Sequence, residues 1–201
     1  DYSIFNDKKI SNYYLTIADT HLHFSKQIDF KNIKSFFEIG GGFGANVHFI
    51  LQNYSNIKKI IYLDLPVNLY IATQYLKSFY KDSVKDYIDN SNNKINFSEN
   101  NELEIICIPP WKVMDLNVKI DLFQNSNSFV EMPTDVIKNY CLQIKKCMNP
   151  TSKIALSSYG EFNTSTTLDP KTLKEYFDFD FDLVYHPSMV PNKKNIFLIN
   201  K

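Results

Sequence analysis

The sequence predicts an α/β fold, doubly wound, with a mostly parallel seven-stranded sheet that ends in a C-terminal antiparallel strand pair. Short apolar runs alternate with amphipathic helical stretches along most of the chain, and parallel strands need such helices as crossovers. The last two apolar runs, Asp182–His186 and Asn195–Asn200, follow one another with only a short link, as an antiparallel hairpin does. The chain is also poor in glycine, yet four of its five glycines fall between Gly40 and Gly44, where a strand gives way to a helix.

Residues 1–32 read as an N-terminal helical lead-in, with a helix over Ser11–Phe24, and residues 33–201 as the sheet domain. Ser35–Ile39 is a short apolar run ending in glycines, the pattern of a buried strand entering a tight turn. Ala45–Asn53 follows as a helix, and Lys59–Leu63 as a second strand that stops at Asp64. Pro66 occupies a first helical position, where its missing N–H costs nothing, and the helix over 67–80 places Leu69, Ala72, Leu76 and Phe79 on one face. The stretch from Asp82 to Asn101 is rich in Asn, Ser, Asp and Lys and reads as a solvated loop, with strand character only at Lys94–Phe97. Leu103–Ile108 is the third strand, stopped by Pro109 and Pro110, and Ile120–Gln124 the fourth. A long helix over Thr134–Met148, a strand over Lys153–Ser158 and a short helix over Pro170–Phe177 precede the terminal pair.

A chain of 201 residues is long enough for one domain with a substantial core. Its 22 basic and 22 acidic residues cancel, which argues against nucleic-acid or anionic-membrane partners held by bulk charge. Every basic residue is Lys, so an anion site here must use ammonium groups or backbone N–H groups rather than a guanidinium fork. Cys107, Cys141 and Cys147 form no paired motif, no apolar run is long enough to span a membrane, and no signal peptide opens the chain; the expectation is a soluble cytoplasmic protein. The first residue is Asp1 rather than Met, as expected of a chain trimmed or cut from a longer one.

The run Glu38-Ile39-Gly40-Gly41-Gly42-Phe43-Gly44 sits between strand and helix, where glycines let a ligand approach the backbone and the helix offers free N–H groups. Gly40, Gly42 and Ala45 also satisfy the dinucleotide spacing G-x-G-x-x-A. Glu38 argues against a pyrophosphate, because a carboxylate at the mouth of the loop repels phosphates. It suits a ligand with an ammonium and no phosphate, such as S-adenosyl-L-methionine. Asp64, at the tip of the second strand, can accept both hydroxyls of a ribose, or cap the following helix.

These residues resemble the first and second motifs of class I S-adenosylmethionine-dependent methyltransferases, which have a Rossmann-like sheet. Three blocks taken in order are similar to the sugar O-methyltransferase family: 37–44 (FEIGGGFG), 63–66 (LDLP) and 121–132 (DLFQNSNSFVEM). The resemblance implies that Glu38 and the backbone of Gly40, Gly42 and Gly44 hold the amino-acid end of the cofactor. It implies that Asp64 holds the ribose, that Leu65 and Trp111 border the adenine, and that Asn125 and Ser126 lie beside the methionine part and the acceptor.

A sulfonium methyl is already activated, so transfer to a hydroxyl needs alignment and a route for the proton. Glu131, beyond the carboxyl end of the fourth strand, is the first candidate base, with a capping role at the following helix as its alternative. His186, near the end of the penultimate strand, is the second. His48 reads as a packing residue. His21 and His23 are two apart on a helix and share no face, so no metal is expected. The function read from the sequence is methyl transfer from S-adenosylmethionine to a hydroxyl of a sugar or glycan precursor. An NAD-dependent oxidoreductase and a non-catalytic binding subunit are the alternatives.

Overall fold

A computed structural model describes residues 1–88, 94–159, 170–187 and 194–201. The chain opens on a hairpin of β1 (Tyr2–Phe5) and β2 (Lys8–Ser11). Asn6 and Asp7 turn it with φ of 48° and 60°. Positive φ at both central residues is the type I′ arrangement that matches strand twist. The lead-in is therefore not wholly helical as expected: the strands are too short and exposed to leave an apolar alternation, and the Asn-Asp turn is the one sequence signal for them. Helix α1 (Asn12–Phe24) follows, its first turn capped by Ser11, whose Oγ accepts the Tyr13 N–H at 3.2 Å.

The main sheet is built from β3 (Ser35–Ile39), β4 (Lys59–Leu63), β5 (Val84–Lys85), β6 (Glu104–Ile108), β7 (Ile120–Ser126), β8 (Met148–Tyr159), β9 (Phe181–Pro187) and β10 (Lys194–Asn200). Helices α2 (Ala45–Asn53), α3 (Pro66–Tyr80), α4 (Thr134–Cys147) and α5 (Pro170–Phe177) lie along it. The seven expected strands all form, and the sheet gains the two-residue β5 beside β6. That strand lies in the polar stretch, and of its two residues only Val84 is buried, so no apolar run announces it. Lys94–Phe97 makes no strand, only an isolated bridge from Ile95 to Leu116.

Strand order is β5-β6-β4-β3-β7-β8-β10-β9, parallel from β5 to β8 and antiparallel for β10 and β9. The turn expected between β9 and β10 falls outside the described residues. Alternation along each strand splits the core in two. Phe37, Ile39, Ile61 and Leu63 face the layer that holds α4 and α5, while Phe36, Ile60 and Tyr62 face the layer with α2 and α3. The order reverses at β3, between β4 and β7, which opens a crevice at the carboxyl ends of the strands. No helix among the described residues is long and apolar enough to cross a membrane.

Candidate functional site

The glycine loop leaves β3 through Gly40 and Gly42, at φ of 74° and 66°, and enters α2 through Gly44, its N-cap at φ 86°. No side chain caps α2, so its first N–H groups remain available to a ligand. A side chain at Gly41 would meet the Glu38 carboxylate at 2.6 Å and the Tyr62 ring at 2.9 Å. The loop is thus folded directly over the Glu38 carboxylate.

Glu38 is 1% exposed. Its Oε1 accepts the Asn46 amide at 2.7 Å, and its Oε2 has no partner. Burial, opposed by the Asn46 hydrogen bond and reinforced by the charge of Asp64, pushes this carboxyl up to about 8. A buried carboxyl oxygen without a partner is costly, and burial favours the protonated form until a partner arrives.

Asp64 is almost as buried and fully engaged. Its Oδ2 accepts the Gly42 N–H at 2.9 Å and the Tyr62 hydroxyl at 2.9 Å; its Oδ1 accepts the Leu65 N–H at 2.7 Å and the Asn68 amide at 3.3 Å. The N-cap of α3 is Leu65, not Asp64. Asp64 instead ties the glycine loop to the start of α3 across the crevice. Tyr62, two residues earlier on the same strand face, also reaches the Gly42 carbonyl at 2.6 Å, and sequence reasoning gave it no role.

Two cavities meet at Gly40. The first, about 190 Å³, is lined by Glu38, Asn46, Ser126 and Asn127, with Tyr13, Thr16, Ile17 and Thr20 of α1 forming its lid. Burial, then the charges of Glu38 and Asp64, raises the Tyr13 hydroxyl above its ordinary value. The second, about 220 Å³, is lined by Asp64, Leu65, Asn68, Pro110, Glu131 and Tyr140 among others.

Most of the expected residues converge here, but with altered parts. Glu131 belongs to the Asp64 cavity, in a 3₁₀ turn over Phe129–Glu131 that precedes α4, and α4 takes Pro133 as its N-cap instead. Asn125 is fully buried and lines neither cavity: its amide donates to the Ile39 carbonyl at 2.9 Å and the Ser128 hydroxyl at 2.5 Å, and its Oδ1 accepts the Phe129 N–H at 3.1 Å. It clasps β3 to β7. Trp111 is 66% exposed, because the turn beginning at Pro110 brings the proline, not the indole, to the cavity wall. His186 lines neither cavity; its ring packs 4.0 Å from that of His23. Burial, with His186 and Lys26 adding to it, lowers the His23 pKa. His48 is a packing residue, its ring tilted against that of Phe79 at 4.1 Å and bonded to the Tyr80 hydroxyl at 2.9 Å. The sequence carries no signal for Thr16 and Asn46 in the site; the α1 residues reach it only through tertiary packing.

Against known proteins, a family model for an O-methyltransferase domain matches residues 5–91. No curated protein matches the chain. Among solved structures, the mitomycin 7-O-methyltransferase MmcR is similar with a TM-score of 0.59 at 12% identity, over 93% of this chain and 54% of that one. The magnesium protoporphyrin IX methyltransferase ChlM from Synechocystis PCC 6803, with bound SAM, gives 0.60 at 9% identity, over 94% and 80%. PigF with SAH gives 0.56 at 13% identity, over 94% and 65%. The chain spans little more than half the length of MmcR, and what it shares with these proteins is the fold.

Proposed function

We propose that the chain is an S-adenosylmethionine-dependent O-methyltransferase. The observation that carries this reading is the unpartnered Oε2 of buried Glu38 beneath a glycine loop, next to a second, fully engaged carboxylate. Glu38 and the N-terminus of α2 would take the ammonium and carboxylate of the cofactor, and Asp64 with Leu65 and Pro110 its nucleoside. S-adenosylmethionine, when bound, supplies an activated methyl group. The chain's own residues then orient an acceptor in the cavity under α1, with Ser126 and Asn127 at its edge. The match of residues 5–91 to an O-methyltransferase domain supports oxygen as the acceptor atom. A sugar hydroxyl is the finer reading and rests on the three sequence blocks; MmcR and ChlM name quite different acceptors.

The test is calorimetry with S-adenosylmethionine, S-adenosylhomocysteine and NAD. Binding of the first two and not of NAD is expected; the reverse sinks the reading in favour of an oxidoreductase. Binding without turnover on any hydroxyl acceptor would favour the non-catalytic subunit. Proton exchange adds a sharper criterion. Free Glu38 holds its proton below about pH 8, and the ammonium requires it ionised. Binding at pH 7 therefore releases a proton, and affinity falls as pH drops, by up to about tenfold per unit. At pH 9 Glu38 is already ionised, whereas an α-amino group, with an ordinary pKa of about 8, must gain a proton. Release at pH 7 should thus turn to uptake at pH 9, and Glu38→Gln should abolish the release.

We also infer that Glu131 acts on the nucleoside side, because it shares its cavity with Asp64. Glu131→Gln is expected to weaken cofactor binding about three- to tenfold, on the scale of one lost hydrogen bond, with little change in kcat. A fall in kcat at unchanged affinity would restore it as the base.

A further inference from the structure

We propose that Asp19, His23 and His186 form a binding site for a divalent transition-metal ion of the zinc type, which clasps α1 to the sheet-edge strand β9. Asp19 and His23 are one helical turn apart, so both project from the same face of α1. His186 comes to them from β9. One candidate ligand atom from each residue lies within 4.8 Å of the other two, and Asp19 Oδ1 is 3.9 Å from His23 Nε2. A tetrahedral zinc site spaces its ligand atoms about 3.3 Å apart. Small side-chain rotations close the difference.

The surroundings prepare the two rings for this role. His186 Nδ1 lies 2.8 Å from the Pro187 carbonyl. A carbonyl can only accept, so Nδ1 carries the proton and Nε2 presents its lone pair. Metal-bound histidines are held in the same way, by a second hydrogen bond that fixes tautomer and ring direction. His23 is 7% exposed and stacks on Phe197 at 4.5 Å, which fixes its plane. Lys26 opposes the arrangement, with its Nζ 3.5 Å from His23 Nδ1. It is exposed and free to swing away. Two imidazoles and a carboxylate are the donor set of zinc sites that keep a fourth position for water. The three cysteines are all buried elsewhere and offer no competing site.

The sequence pattern argues against a metal site on His21 and His23, which diverge: His21 bonds the Tyr54 hydroxyl at 2.7 Å. His23 pairs instead with Asp19 and with a residue from the far end of the chain. None of the three lines either cavity, so the ion's part is tethering. Helix α1 supplies Tyr13, Thr16, Ile17 and Thr20 to the lid of the first cavity, and the ion would hold that helix against the sheet.

The test uses the whole chain, stripped with a chelator and titrated with Zn²⁺ by calorimetry, with Co²⁺ as the spectroscopic probe. One bound equivalent and visible absorption of four-coordinate Co²⁺ are expected, with affinity reduced at least about tenfold in His186→Ala and in Asp19→Asn. Both positions are only partly buried, so circular dichroism should report both variants as folded. Zn²⁺ should also slow amide exchange across α1 in the parent chain and not in His186→Ala. Absence of binding, or binding undiminished in both variants, overturns the proposal.

Discussion

Gly40→Ala is expected to destabilise the protein by about 2–5 kcal/mol, a large share of a domain total on the order of 5–15 kcal/mol. Two penalties coincide. Gly40 has φ 74°, where a Cβ costs roughly 1–2 kcal/mol. That Cβ would also overlap the Ser128 hydroxyl and its Cβ. Ser128 cannot rotate out of the way, since its own Cβ is part of the clash, and it is bonded to Asn125 and to the Ile39 carbonyl. Overpacking of this kind adds roughly 1–3 kcal/mol. Gly42→Ala is the control. Its φ is just as unfavourable, but the nearest atom to a new Cβ is the Tyr13 hydroxyl at 3.9 Å, so it should lose only about 1–2 kcal/mol. Urea denaturation of both variants decides the matter. Equal losses would mean that backbone strain alone governs the loop. Ser128→Gly should recover part of the Gly40→Ala loss, a coupling that a double-mutant cycle isolates.

Asp64→Ala should cost both stability and cofactor affinity. The carboxylate receives four hydrogen bonds, and its removal leaves the Gly42 N–H without its acceptor and the Tyr62 hydroxyl with only the Gly42 carbonyl. Leaving the buried N–H unpaired costs about 1–3 kcal/mol and the other lost bonds add to it, so a loss of roughly 2–4 kcal/mol is expected. Asp64→Asn should rescue little, because an amide presents a donor where two oxygens now accept. Binding of S-adenosylmethionine, measured at a temperature where the variant is folded, should weaken by a further ~1–3 kcal/mol, or about five- to a hundred-and-fiftyfold. If affinity survives while stability falls, Asp64 is a loop brace and nothing more. Tyr62→Phe separates the two roles, since it loosens the brace and leaves the carboxylate in place.

The parallel half of the sheet was legible because buried strands are written as unbroken apolar runs with glycine, proline or an acid at their ends. Ser35–Ile39 and Lys59–Leu63 form over the predicted residues. The β1–β2 hairpin and β5 were not legible, since strands of two to four residues with at most one buried apolar side chain carry too little pattern. Within the site, Glu38 and Asp64 could be picked out because each stands beside a strand end at a fixed spacing from the glycines. The orientation of a side chain beyond a strand end is set by the turn that follows, which is why Trp111 swings outward; Asn125 instead lies on β7 itself, which runs on to Ser126, and points inward. The lid is harder still. Tyr13 reaches the glycine loop, its ring 5.3 Å from Phe43, only because α1 folds back over α2. His23 meets His186 through the same long-range docking.

The outward turn of Trp111 has a practical side. It is the sole tryptophan in a chain of thirteen tyrosines. Its indole stands next to Pro110, which forms part of the cavity wall. Excitation energy absorbed by the tyrosines thus drains toward a single emitter at the rim of that cavity. The protein carries a built-in optical gauge at one end of its crevice, well placed to register what enters there and insensitive to the packed interior.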